Sequence, residues 1–169
     1  MSRLFVTGDT HCNACGEFSK LNAKNFPQQK DLTKDDFVVI AGDFGLLWCG
    51  SSEERYWLDW MEDKPFTTLF VDGNHENHAM LADFPVEEWH GGKIHRIRQS
   101  IIHLMRGQVF EDIAGLRVFS MGGASSHDIQ DGILDPDDSF FEEEYRKLRR
   151  RGAMFRVKGQ TWWPEELPS

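Results

Sequence analysis

Three short apolar segments in the first half of the chain share one pattern. Each is rich in β-branched and aromatic residues, and each meets a glycine within two residues of its end. The segments are residues 3–7 ("RLFVT"), 37–41 ("FVVIA") and 67–71 ("TTLFV"). Because they are apolar nearly throughout, they predict strands of a parallel sheet that is buried on both faces.

A helical pattern lies between the second and third predicted strands. Residues 53–62 ("EERYWLDWME") carry charges on one side and apolar groups on the other. The apolar groups at helical spacing are Tyr56, Trp57, Trp60 and Met61. A helix here gives a β-α-β unit, which joins parallel strands. A weaker pattern at residues 17–24 predicts a first crossover helix.

The second half of the chain is patterned differently. Four closely spaced segments read as strands without helices between them: residues 93–97, 101–105, 108–111 and 116–121. Such spacing predicts antiparallel hairpins. The overall expectation is therefore a mixed α/β fold.

A polar loop and a charged helix are predicted next. Residues 122–138 ("GGASSHDIQDGILDPDD") are rich in Gly, Asp and Pro and predict a long loop. A capping box of Ser139 and Glu142 predicts the start of a helix. The expected i,i+4 ion pairs are Glu142–Arg146 and Glu143–Lys147, and the expected apolar face is Phe141, Tyr145 and Leu148.

Length and composition fit a single domain spanning residues 1–169, with 40% hydrophobic residues, 13 Phe and 6 Trp. No run approaches the roughly 18 apolar residues of a membrane span, and the N-terminal sequence has too short an apolar core for a secretory signal. Three cysteines without a disulfide framework favour a reducing compartment. We therefore expect a cytoplasmic protein with no membrane partner.

The formal net charge of −9 bears on the partners. It argues against general nucleic-acid binding, because a polyanion is repelled unless a basic patch or bound cations reverse the field. The run at residues 146–151 ("RKLRRR") is basic, but on a helix such a run is more typical of a solvated face. A phosphate-bearing ligand therefore needs positive charge from another source.

Each predicted parallel strand ends on a glycine followed at once by an oxygen ligand. The ends read "TGDTH", "AGDFG" and "DGNHE". In a parallel sheet these ends lie side by side, at the edge where α/β folds bind ligands. A single Gly-Asp is more often a turn or a helix cap. Three at successive strand ends favour a metal site.

The residue types at these ends suit hard or borderline cations. Asp9 and His11 lie two positions apart and point to the same side of an extended segment. Asp43 has two carboxylate oxygens and could bridge two cations, Asn74 offers an amide oxygen, and His75 offers a nitrogen or a proton. This donor set fits Mn²⁺, Fe²⁺, Zn²⁺ or Mg²⁺.

The motifs "GDTH", "GD" and "GNHE", in this order and spacing, resemble the calcineurin-like metallophosphoesterase superfamily. The later "MGGASSHD" and "WWPEELPS" resemble a bacterial and phage branch of it. The resemblance implies a β-sandwich of mixed sheets flanked by helices, with a centre of two divalent metal ions. It also implies hydrolysis of phosphomonoesters or phosphodiesters by a metal-bound hydroxide.

The resemblance also implies roles for individual residues. Asp9 and His11 would bind the first metal, Asp43 would bridge both, and Asn74 would bind the second. His75 would face the phosphate of the substrate and act in catalysis.

Two departures from the family pattern change the expectation. Many members carry a second acid three positions after the Gly-Asp, where this chain has Leu46. The family also takes three further histidines from blocks beyond the "WWPEE" segment, and this chain ends at Ser169. We therefore expect one tightly held ion and weak activity, with a complementing C-terminal chain or a homo-oligomer as a candidate partner. A catalytically weak or inactive, truncated half-domain that binds metal or a partner chain stays open as the alternative.

Other residues carry weaker signals. Cys12 and Cys15 form a C-x-x-C, but a zinc site needs a second pair and only Cys49 remains. His127 lies in the Gly-rich loop and could reach the substrate or replace a missing ligand, although a plain loop residue is the simpler reading. His78 is expected at the surface.

Overall fold

The structure is a computed structural model that describes residues 2–11 and 20–167. Within these residues, six strands form one mixed sheet in the order β1-β2-β3-β6-β5-β4. The strands are β1 Leu4–Thr7, β2 Phe37–Ala41, β3 Thr67–Val71, β4 Val86–Trp89, β5 Gly92–Arg98 and β6 Ile101–Leu104. Pairing is parallel from β1 through β2 and β3 to β6, and antiparallel from β6 to β5 and β4.

The remaining described strands form two small pairs. An antiparallel hairpin consists of β7 (Gln108–Ile113) and β8 (Leu116–Ser120), and a short parallel pair consists of β9 (Ile133–Leu134) and β10 (Arg156–Val157). The helices are α1 Ser52–Glu62, α2 His78–Ala82 and α3 Phe141–Arg150, with 3-10 turns at Pro27–Asp31 and Pro164–Glu166. Among the described residues, none of the helices has the length and apolar character that crossing a membrane requires.

Both faces of the large sheet are buried at β3 and β6, as the apolar strands predict, whereas Val6 of the outer strand β1 is 69% exposed. Phe70 of β3 packs on the helical side with Phe44 and Met61, whereas its neighbour Leu69 packs on the other side with Phe110 of the β7–β8 hairpin. Successive side chains of a strand point to opposite faces, so one strand serves two cores. The mixed α/β class is confirmed, with the hairpin and the helices as the layers on either side of the sheet.

The prediction of antiparallel hairpins holds for two pairs of neighbouring strands. β5 pairs with β6 and β7 pairs with β8 in antiparallel fashion. β6, however, pairs with the parallel strand β3 and not with β7 among the described residues. Two short elements, α2 and β4, were not predicted, because each spans only four or five residues and shows too little of a period.

The start of α3 differs from the predicted capping box. The N-cap position is Phe140, and no side chain caps the helix. Asp138 instead accepts a hydrogen bond from the Phe140 backbone N–H at 2.8 Å, which forms a turn at the place where Ser139 was expected to cap. The predicted Glu142–Arg146 ion pair is present at 3.3 Å. Lys147, however, pairs with Glu144 and not with the predicted Glu143, the residue before it.

Two further expectations concern a predicted helix and a predicted loop. The predicted helix at residues 17–24 lies partly outside the described residues, and its described part forms turns with no α-helix. The predicted loop at residues 122–138 is largely irregular, but it contributes β9.

Candidate metal centre

The ends of β1, β2 and β3 are tied together by backbone hydrogen bonds. The Gly42 N–H donates to the Val71 carbonyl at 3.1 Å, and the Asp9 N–H donates to the Gly42 carbonyl at 3.1 Å. The His11 N–H then donates to the Asp43 carbonyl at 3.0 Å. These bonds continue the parallel pairing beyond the strands and bring the three Gly-containing ends to one edge of the sheet.

The predicted ligands of the first two strand ends have unusual backbone conformations. Asp9, His11 and Asp43 have φ values of 56°, 36° and 49°, in the left-handed region that favours glycine. A non-glycine residue in such a conformation costs about 1–2 kcal/mol. Strain of this kind is retained where the surrounding structure enforces it, most often at functional sites.

Gly73 allows the third strand end to approach Asp43. A Cβ atom at Gly73 would lie 1.9 Å from Asp43 Oδ1, so no larger residue fits without moving this carboxylate. The same oxygen accepts a hydrogen bond from the His75 backbone N–H at 3.1 Å. The loop after β3 therefore fixes the position of the Asp43 carboxylate.

The side chains at this edge form one compact cluster. Donor atoms of His11, Asp43 and His75 all lie within 4.8 Å of one another. His11 Nε2 lies 3.4 Å from Asp43 Oδ2, and it also contacts the Asp9 carboxylate directly. The structure thus brings Asp9, His11 and Asp43 together, and it adds His75 to the group.

Asn74, between Gly73 and His75 in the chain, is buried and has a polar partner. Its side-chain Nδ2 donates to the Ser126 hydroxyl at 3.3 Å. Imidazole, carboxylate and amide oxygen are the donor types that Mn²⁺, Fe²⁺, Zn²⁺ and Mg²⁺ accept. By donor chemistry, and by the space that Gly73 leaves for the Asp43 carboxylate, the residues fit a divalent metal site.

His75 also contacts residues from two other parts of the chain, Trp48 and the C-terminal Arg156. Arg156 of β10 donates to His75 Nε2 at 3.2 Å, and the Trp48 ring stacks on the imidazole with centroids 6.1 Å apart. Trp163 packs edge-on against Trp48. Burial, followed by the positive charge of Arg156, lowers the pKa of His75 below its ordinary value.

Arg156 is buried and fully engaged by hydrogen bonds. Its Nε donates to both oxygens of Asp128, at 2.8 and 2.9 Å, and another N–H donates to the Thr161 carbonyl at 2.7 Å. Burial raises the pKa of Asp128, but the hydrogen bond and charge of Arg156 outweigh this effect and hold that pKa below its ordinary value.

The sequence analysis missed Arg156 and Asp128 as parts of the site. The available signals were a single arginine between apolar neighbours in "MFRVK" and the "SSHD" of the polar loop. Leu46, where the resemblance led us to consider an acid, is fully buried in the apolar core. Among the described residues, Arg156 contacts His75 Nε2.

Glu76, the last residue of "DGNHE", connects two of the strand ends by hydrogen bonds. Its carboxyl group is fully buried and accepts hydrogen bonds from the backbone N–H groups of Phe44 at 2.7 Å and Gly45 at 2.9 Å. Burial raises the pKa of Glu76 to about 8. The side chain connects the loop after β3 to the loop after β2, and thereby supports Asp43 from behind.

A second buried polar group, centred on Asp72, lies next to the site. His103 Nε2 lies 3.1 Å from Asp72 Oδ1, and Arg106 forms an ion pair with the same carboxylate. Burial raises the pKa of Asp72, but the hydrogen bonds and charges of His103 and Arg106 together bring it below its ordinary value. The prediction that His78 lies at the surface is wrong: its side chain is only 8% exposed and lies 3.8 Å from Asp72. It starts α2, which turns it inward.

A small cleft opens beside the cluster. Its volume is about 300 Å³, and it is bordered by Asp9, Asp43 and the backbone of the strand ends together with residues 121–124. Gly122 is required there, because a Cβ atom would lie 2.6 Å from the Asp72 carbonyl oxygen. Without a bound cation, the carboxylates of Asp9 and Asp43 at its rim give the cleft a negative electrostatic potential.

The remaining candidate residues do not join the site. Within the described chain, His127 is exposed and is not part of the cluster. The basic run on α3 is largely paired: Arg146 with Glu142, Lys147 with Glu144 and Arg151 with Asp131. Cys12 and Cys15 lie outside the described residues, and Cys49 is exposed.

Comparison with known proteins agrees with the geometry of this edge. No curated protein and no solved structure matches the chain. The family model described as calcineurin-like phosphoesterase matches residues 2–168, which is nearly the whole sequence. The chain therefore belongs to the calcineurin-like phosphoesterase family.

Proposed function

We propose that this protein is a metal-dependent phosphoesterase whose active site lies at the carboxyl edge of β1, β2 and β3. Family membership supports hydrolysis of phosphoric esters in general. The observation that carries the assignment to this edge is the approach of His11, Asp43 and His75 donor atoms to within 4.8 Å. A cluster of this kind at the carboxyl ends of parallel strands occupies the usual ligand position of an α/β fold.

The proposed metal ligands are the four residues inferred from the sequence. Asp9, His11 and Asp43 would hold one divalent ion, and Asp43 together with Asn74 would hold a second. With three donors for the first ion and two for the second, we expect the first to be held more tightly. When bound, divalent ions polarise the phosphoryl oxygens and lower the pKa of coordinated water.

His75 is proposed to act on the substrate. Its Nε2 accepts a hydrogen bond from Arg156, so the neutral ring carries its proton on Nδ1. In this arrangement Nδ1 is the atom that can donate toward an oxygen of the phosphoester, and Arg156 adds positive charge on the other side of the ring. Because Arg156 is itself paired with Asp128, the local positive charge that a phosphate ligand requires would come chiefly from the divalent ions.

The proposal is tested with the metal-free chain and two aryl esters, p-nitrophenyl phosphate and bis(p-nitrophenyl) phosphate. We expect release of p-nitrophenol that requires added Mn²⁺ and that His75→Ala lowers about 100-fold while the bound metal is retained. His90→Ala is the matched control, since His90 is exposed and hydrogen-bonds to the Glu111 carbonyl, apart from the cluster. A large loss of metal in His75→Ala would instead make His75 a ligand.

A non-catalytic protein that binds metal or a partner chain is the second candidate. The contact between Arg156 and His75 Nε2 favours it, because that contact occupies a ring nitrogen that an acid catalyst could use. Tight binding of Mn²⁺ without turnover of either ester would support this candidate over the enzyme.

A further inference from the structure

A buried carboxylate at the C-terminal end of the described chain is connected to the predicted metal ligand Asn74. Glu166 is 1% exposed and belongs to the 3-10 turn Pro164–Glu166. Its two oxygens accept hydrogen bonds from Ser126, one from the backbone N–H at 2.8 Å and one from the hydroxyl at 2.7 Å. The turn itself is fixed by the Ala124 N–H, which donates to the Glu166 carbonyl at 3.1 Å.

The direction of hydrogen bonding in this group is set by the chemistry of its members. Both carboxyl oxygens of Glu166 accept from Ser126, so the single hydroxyl proton of Ser126 is donated to Glu166. The hydroxyl oxygen of Ser126 then has only lone pairs left to offer to Asn74. Of the two ends of the amide, only the NH₂ can bond to those lone pairs, at the observed 3.3 Å.

This direction decides which end of Asn74 remains free. With Nδ2 held at Ser126, the amide oxygen Oδ1 is the end left for a cation. A flipped amide would place Oδ1 against the lone pairs of the Ser126 hydroxyl, which is repulsive, and would leave only a non-ligating NH₂ group for the metal. Partners behind the ligands of a metal commonly fix ligand orientation in this way.

We propose that Glu166, acting through Ser126, is a positioning residue that holds the Asn74 amide oxygen toward the metal centre. This inference rests on the proposed function, because it presupposes that Asn74 binds a divalent ion. It also assigns a role to the "PEE" of the C-terminal segment, which would set the orientation of one ligand through Ser126.

The chain contains a matched copy of the same arrangement away from the site. Glu62 accepts hydrogen bonds from the Ser100 backbone N–H at 3.0 Å and from its hydroxyl at 2.8 Å, and the Ser100 hydroxyl accepts from Lys34 Nζ at 2.7 Å. Ser100 precedes β6 at the amino-terminal edge of the parallel strands, opposite the metal centre. Variants of Glu62 and Ser100 therefore remove the same kinds of hydrogen bond as variants of Glu166 and Ser126, but at a place that has no proposed metal ligand.

The test is a Mn²⁺ titration of the metal-free full chain, followed by the electron paramagnetic resonance signal of free Mn²⁺. Ser126→Ala removes the hydroxyl that accepts the hydrogen bond from Asn74 Nδ2. The loss of Mn²⁺ affinity in Asn74→Ala measures how much of the binding depends on Asn74. We expect Ser126→Ala to weaken that binding about tenfold or more. Ser100→Ala should leave the affinity within about twofold of wild type.

Glu166→Gln gives a second and more specific variant. A glutamine can donate its NH₂ to the Ser126 hydroxyl, which turns the hydroxyl proton toward Asn74 and favours the flipped amide. The variant keeps the size of the side chain, and we expect it to weaken Mn²⁺ binding about as much as Ser126→Ala. Glu62→Gln is its control.

A double variant separates positioning from a general structural role. In the Asn74→Ala background, Ser126→Ala should cause no further loss of Mn²⁺ affinity, because no amide remains to be oriented. A further loss there, or wild-type affinity in both Ser126→Ala and Glu166→Gln, overturns the inference while the proposed function stands. Failure of wild type to bind Mn²⁺ overturns both.

Discussion

Arg156 donates a guanidinium N–H to Nε2 of His75 across 3.2 Å, from a residue 81 positions further along the chain. Asp128 accepts two hydrogen bonds from Nε of Arg156 and thereby holds the guanidinium in place. The imidazole is thereby fixed at its outer nitrogen, while its stacking partner Trp48 fixes the plane of the ring. The relationship makes the orientation and charge of His75 depend on Arg156.

Replacing Arg156 should raise the pKa of His75. Burial lowers this pKa, and the charge of Arg156 lowers it further, so Arg156→Met removes the second effect and leaves the Asp128 carboxylate nearby. The charged form of His75 should then persist to higher pH than in wild type. The measurement is an NMR titration of the imidazole in the metal-free protein. An unchanged midpoint in Arg156→Met, compared with the exposed-site control Arg149→Met, would contradict this reading.

Asp43→Ala should remove more metal than Asn74→Ala. The Asp43 carboxylate lies in the cluster with His11 and His75 and is proposed to serve two ions, whereas Asn74 serves one. Elemental analysis after desalting measures the bound metal. Asp59→Ala, whose side chain is 72% exposed on α1, is the control. Equal metal content in Asp43→Ala and wild type would refute the bridging role.

Gly73→Ala should disrupt the metal centre through sterics alone. The added Cβ would lie 1.9 Å from Asp43 Oδ1, so the carboxylate has to move. We expect a loss of bound metal and a destabilisation of about 1–3 kcal/mol. Thermal unfolding and metal analysis together measure both effects.

Gly115→Ala is the control for backbone strain. Gly115 has φ of 77° with no atom within 4 Å of the added Cβ, so the substitution strains the backbone without a clash. It should cost about 1 kcal/mol and leave the metal in place. Full metal content in Gly73→Ala would show that Asp43 tolerates displacement.

Stability in acid should depend on Asp36, which precedes β2 at the end of the strand opposite the proposed metal centre. The Arg3 side chain and the backbone N–H groups of Thr33 and Arg3 donate to its carboxylate, and these bonds lower the pKa of Asp36 from 3.8 to about 2. A carboxyl group with a depressed folded-state pKa stabilises the fold above its unfolded pKa, and this contribution is lost as the pH falls through the folded value.

The expected result is a loss of the Asp36 contribution between about pH 4 and pH 2. Urea unfolding as a function of pH measures it. Asp36→Asn should unfold more easily than wild type at pH 6 and should show a flatter profile in this window. Asp35→Asn, at an exposed neighbour, is the control. Parallel profiles for wild type and Asp36→Asn would rule out the contribution.

The sequence predicted β2 and β3 to the residue, since a strand buried on two faces is apolar throughout. It also predicted that Asp9, His11 and Asp43 come together, because parallel strands place their carboxyl ends at one edge. Arg156 could not be assigned to His75 in advance. Their contact depends on how the short β9–β10 pair folds back over the site, and local periodicity carries no information about such distant pairing.

Two polar positions were misjudged for different reasons. His78 follows the motif loop and reads as a surface residue, but the short helix α2 places it against Asp72. Ser139 has the sequence of a cap, but the preceding aspartate accepts the Phe140 N–H in a competing local turn. The first outcome depends on a contact that is distant in sequence, and the second depends on which of two neighbouring side chains accepts a hydrogen bond.

The central claim is that Asp43 anchors a metal centre that hydrolyses phosphoesters. Its most direct test is the rate of bis(p-nitrophenyl) phosphate hydrolysis by metal-free wild type and Asp43→Asn, each measured with and without added Mn²⁺. Asp43→Asn keeps the size of the side chain but removes the bridging charge. The account predicts turnover that appears only with Mn²⁺ and falls about 100-fold or more in Asp43→Asn. Equal turnover by the two proteins, or turnover that does not need the metal, would contradict it.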